Sequence, residues 1–132
     1  MGKIRFYIIF VVGIVTCLQA VAHAFMGFYA VLEHIANGEI NGNATIGMQI
    51  IWLYSSIMML LSGIWALFLA KPVMQSNHTA RLQTLFLGIG LLTFGLICIY
   101  FTQEFFNHLF FFMVEGILLI CAVTIFYNIK TT

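Results

Sequence analysis

Apolar residues in this chain neither alternate nor keep to one helical stripe; they run on in four blocks, residues 6–35, 46–70, 82–101 and 109–127. Each block is close to or above the ~20 residues with which a helix crosses a ~30 Å hydrocarbon core. The polar connections between them differ in character. Residues 36–45 (ANGEINGNAT) are rich in Gly and Asn, which end helices and favour turns. Residues 71–81 open with the only proline, Pro72, placed to stop a helix instead of kinking one. Residues 102–108 are so few that the third and fourth helices are expected to form a tight antiparallel hairpin. The pattern predicts an all-α, polytopic membrane protein: one domain over residues 1–132, built as a four-transmembrane-helix up-down bundle.

Composition agrees, with 63% of the 132 residues hydrophobic and 7% charged, a balance foreign to soluble domains. The formal net charge is only +1 and there is no basic tract, so nucleic acid as a partner has no electrostatic footprint. The few charges also orient the chain. Lys3, Arg5, Lys71, Arg81 and Lys130 all fall on one side of the four blocks, while Glu39 and Glu104 fall in the two connections on the other. By the positive-inside rule both termini are expected in the cytoplasm, in a plasma (inner) membrane. The basic start and the triplet Ala22-His23-Ala24 imitate a signal peptide, but apolarity continues through Leu32 where a polar mature chain would begin. An uncleaved anchor is the expectation.

Several patterns read as packing. Gly88 and Gly95, with Thr84 and Thr102 along the same line, give the third helix a smooth ridge for a neighbouring backbone. Gln49, Ser56 and Gly63 recur at seven-residue spacing on the second. Trp52, Tyr54, Tyr100 and Tyr127 near block ends suit an interfacial aromatic belt. Phe105, Phe106, Phe110, Phe111 and Phe112 go most of the way around the fourth helix, so part of the run is expected to face lipid or a protein partner. Cys17, Cys98 and Cys121 are odd in number and scattered over three helices, which offers no disulfide framework.

Chemistry concentrates in the acids and histidines. All four carboxylates (Glu33, Glu39, Glu104, Glu115) and three histidines (His23, His34, His108) map to the half away from the basic residues. Of these, His23 and Glu115 lie deepest, where ionisable groups are expensive and mark sites. Gln19, His23 and His34 leave one face of the first helix at about 100° per residue. With the first and fourth helices adjacent, a His23–Glu115 pair is expected, and Glu104, His108 and Glu115 recur at spacings of four and seven. Three uses of that face compete. One is a purely structural hydrogen bond. The second is a metal site drawing on His23, Glu115, Glu104 and His108, or a haem held by His34 and His108, since imidazole is the commonest transition-metal ligand. The third is proton or small-substrate handling, with His23 and Glu115 as the acid–base pair.

The chain has no Gly-rich phosphate loop, no G-x-S-x-G elbow, no H-E-x-x-H and no Asp, so nucleotide and common hydrolase chemistry lack their parts. In general plan, four spans with cytoplasmic termini, the chain resembles DoxX-type small membrane proteins; the likeness rests on hydropathy, and no residue role follows from it. The expected function is a non-catalytic integral membrane subunit or binding module whose His/Glu site takes a metal, a proton or a small polar ligand. The expected surroundings are lipid and a protein partner or second copy met through the third and fourth helices. A small transporter or channel-like oligomer, an acid–base membrane enzyme and a haem-carrying electron-transfer subunit are the alternatives.

Overall fold

The computed structural model describes residues 2–40, 42–103 and 110–128. They form four helices: α1 (Gly2–Ala36), α2 (Asn43–Met74), α3 (His78–Thr102) and α4 (Phe110–Asn128). α1 is interrupted by a π-helical turn, His23–Gly27. The first three are long and apolar enough to cross a membrane, and α4 is a shorter apolar helix. Large apolar side chains point outward along all of them, among them Phe68, Phe86 and Phe101, each more than two-thirds exposed. Such a surface suits hydrocarbon, not water.

The ends have local causes. The connection expected over residues 71–81 is reduced to three residues, because α2 does not stop at Pro72 but carries it in its last turn. A proline there forfeits one helical hydrogen bond, which the C-terminal cap offsets. Ser76 takes the left-handed conformation (φ 64°), its N–H donates to Val73 O at 3.0 Å, and Asn77 N–H reaches back to Pro72 O at 3.0 Å. This is a Schellman closure with serine where glycine is usual. Asn77 then starts α3 as its N-cap, the side-chain oxygen accepting from Ala80 N–H at 2.9 Å.

Two glycine-mediated pairs make up the bundle. α1 lies antiparallel to α2, with Gly13 and Gly63 so close that a Cβ on either would sit within 3.0 Å of the other's carbonyl oxygen. α3 lies antiparallel to α4 in the same way: Gly88 faces Gly116 and Leu119, and Gly95 faces Met113. The ridge read from the sequence of α3 is therefore spent within the chain. Thr84 shares the buried ridge and bonds Ala80 O, whereas Thr102 is exposed. The pairs join through α1 with α4 and α2 with α3.

The core is uneven. Ile9 and Val12 of α1, Leu69 and Val73 of α2, Ala80 of α3 and Leu119 and Val123 of α4 pack into one cluster at the Gly2 end. Lys3 and Arg5 of α1 lie toward that end, with Lys71 in the last turn of α2, where Gly2 abuts Met74. Arg5 is buried, and Arg81 donates from Nε to Val123 O at 2.8 Å, which ties α3 to α4. Toward the Ala36 end only Val31 of the last α1 segment is buried, and the helices leave a groove.

Candidate functional site

The groove has a volume of about 670 Å³. α1 contributes Gln19, His23 and Met26, α2 contributes Trp52 and Met59, and α4 contributes Phe111 and Phe112. The lining is apolar except for Gln19 and His23, with Trp52 adding an indole N–H.

The π-helical turn positions His23. Such a turn holds one residue more than an α-helical one, so it locally widens the helix and commonly marks functional sites. Trp52 occupies the space made. Its ring stacks on the His23 imidazole with centroids 4.3 Å apart and planes 4° from parallel, and its Nε1–H donates to the His23 carbonyl at 2.9 Å. Gly27 makes this possible, since a Cβ there would lie 2.3 Å from Trp52 Cζ2. Trp52 is thus a wall of the site.

The Ser56 hydroxyl lies 2.8 Å from His23 Nδ1 and 2.9 Å from Trp52 O, and its one proton serves one of the two at a time.

Glu115 is not the partner of His23. The glycine contacts of α3 set the height of α4 so that Glu115 lies opposite Thr16, whose hydroxyl is 3.0 Å from Oε2, with the Gln19 side chain against the same carboxyl. Thr16 is seven residues before His23, ~10 Å along the helix axis. Phe111 and Phe112, a turn earlier on α4, line the groove together with His23. Phe112 is buried and packs edge-to-face on Phe94 at 5.3 Å, while Phe111 stays half exposed.

The remaining expected ligands do not gather around the groove. His34 Nδ1 is 2.6 Å from Glu39 Oε2, in an exposed pair near the Ala36 end. Glu104 and His108 lie outside the described residues, and with them the His34–His108 haem couple. Among the described residues no three His, Cys, Asp or Glu side chains come together as a metal cluster. Cys17, Cys98 and Cys121 are free thiols.

Sequence reasoning singled out Gln19, His23 and Ser56 but missed the roles of Trp52 and Gly27. The one available signal was a glycine four residues after the half-buried histidine, on the same helical face. Set against known protein families, curated proteins and solved structures, the chain matches none. Function is therefore argued from the site.

Proposed function

We propose that the chain is a small multi-pass membrane binding module. In this reading four spans place both termini on the cytoplasmic side of the plasma (inner) membrane, and the groove takes a lipid-soluble small molecule with one hydrogen-bonding head group. The observation that carries it is the groove itself, an apolar space of about 670 Å³ whose polar lining is Gln19 and His23. That volume lies within the ~300–1,000 Å³ of small-molecule sites, which join apolar walls to a few placed polar groups. An apolar tail would replace lipid along Val15, Leu18, Met59 and Phe111, and a hydrogen-bonding head group would meet the imidazole and the Gln19 amide. The stacked, hydrogen-bonded Trp52 holds the imidazole plane before anything binds, which lowers the ordering cost of binding.

The chain has two tryptophans, so a Trp65→Phe variant leaves Trp52, in the groove wall, as the only tryptophan reporter. In lipid nanodiscs, titration with long-chain alcohols, fatty acids and quinones is expected to give a saturable change in Trp52 emission with one of these head groups. Adding Ala22→Phe, which fills the groove, is expected to abolish it. Emission that does not respond to any of the three classes, or responds equally in the filled variant, would rule out the groove as the binding site.

A further inference from the structure

Glu115 stands behind the groove and takes no part in the reading above. It is 4% exposed, and the groups on its carboxyl are two neutral side chains of α1, Thr16 and Gln19. The ionisable residues of the surrounding elements lie elsewhere. On α1, Cys17 is directed at Leu60 O of α2, Arg5 is eleven residues before Thr16, ~16 Å along the axis, and His23 is ~10 Å the other way. α2 brings Leu60 and Gly63 to this level and α3 brings Gly88 and Leu92, none of which ionises. On α4 itself Cys121 follows six residues later, ~9 Å on.

The donors beside the carboxyl are the Thr16 hydroxyl and the Gln19 amide N–H groups. Thr16 has one hydroxyl proton and two acceptors in reach, Val12 O at 2.8 Å and Glu115 Oε2 at 3.0 Å. Glu115 Oε1 and Gln19 Oε1 are both buried and have no donor. A lone carboxylate in an apolar interior is also far more costly than its neutral acid. One added proton removes the charge and gives Oε1 a hydrogen to donate.

We propose that Glu115 is a proton-binding site within the bundle, its neutral carboxyl donating from Oε1 to Gln19 Oε1 while Thr16 gives its own proton to Val12. The step is a protonation alone: a hydronium entering by the groove, which Gln19 also lines, forms the O–H bond on Glu115 and leaves as water. In the rival arrangement the Gln19 amide presents Nε2–H to an ionised carboxylate. The proposal stands whether or not the groove binds a lipid-soluble ligand.

The chain has no Asp, so a Glu33→Gln/Glu39→Gln/Glu104→Gln variant keeps Glu115 as its sole side-chain carboxyl. Infrared spectroscopy of that variant in potassium buffer at pH 7 is expected to show the C=O stretch of a protonated carboxyl, displaced on exchange into D₂O. The band is expected to be missing from Glu115→Gln and to move to higher frequency in Gln19→Leu. If Glu115→Gln does not fold, ¹³C-glutamate labelling of the triple variant assigns the band. A spectrum with only carboxylate bands overturns the proposal, as does a band that sodium removes or that Gln19→Leu leaves in place.

Discussion

The site rests on one missing methyl. Gly27 has an ordinary helical backbone, so conformational freedom is not what selects glycine there; the face of Trp52 is. Gly27→Ala brings a Cβ to 2.3 Å from Cζ2 and 2.9 Å from Nε1 of that ring. Either the indole moves, giving up its stack on His23 and its bond to the His23 carbonyl, or the π-helical turn closes. Overpacking of this kind costs ~1–3 kcal/mol, and the expected outcome is a lower melting temperature in detergent with altered Trp52 emission in the Trp65→Phe background. Unchanged emission would mean that the indole does not sit on this backbone. The His34–Glu39 pair is the contrasting case: its distance is short, but both side chains are 57% exposed, and pairs in that setting contribute ~0–1 kcal/mol.

Among the elements, α2 shows a proline and a left-handed serine tolerated together because the closing turn meets their demands. Pro72 has no N–H to give, yet its carbonyl receives Asn77 N–H, and Ser76 supplies the left-handed turn that brings Asn77 back. A side chain in that conformation costs ~1–2 kcal/mol that glycine does not incur. Ser76→Gly is therefore expected to raise stability by about 1 kcal/mol, measured by denaturant titration in mixed micelles, without change to the groove. Destabilisation would show that the serine side chain holds the turn. The α3–α4 pair has less slack, since a Cβ on Gly116 would lie 2.5 Å from Leu92 N and 2.6 Å from Gly88 O, backbone atoms that cannot step aside singly.

Across the whole molecule, tight packing lies at the Gly2 end and the groove toward the Ala36 end. This division matches the charge pattern: Lys3, Lys71 and Arg81 belong to the packed end, Glu33 and Glu39 to the other. In the proposed orientation the groove opens in the outer half of the membrane. Alkaline phosphatase fused after Asn37 is expected to be active, because in that orientation the connection would face outward, while fusions after Ser76 and Lys130 are expected to be inactive. An active fusion after Ser76 would reverse the orientation and put the groove in the inner half.

The sequence by itself determined the class of structure, because the length and apolarity of residues 6–35, 46–70 and 82–101 leave a chain no stable alternative to helices in a low-dielectric medium. It also marked Gln19, His23 and Glu115 as costly positions and Gly88 with Gly95 as a packing ridge. Partnerships were beyond it. Which side chain meets Glu115 depends on the height of α4 against α1, and contacts such as Gly88 with Gly116, residues far apart in sequence, set that height. Spacing along one helix fixes angles and rises only within that helix. The π-helical turn likewise needs Trp52 of α2 to fill it, so the groove, the His23–Ser56 hydrogen bond and the separation of His23 from Glu115 were decided by tertiary structure.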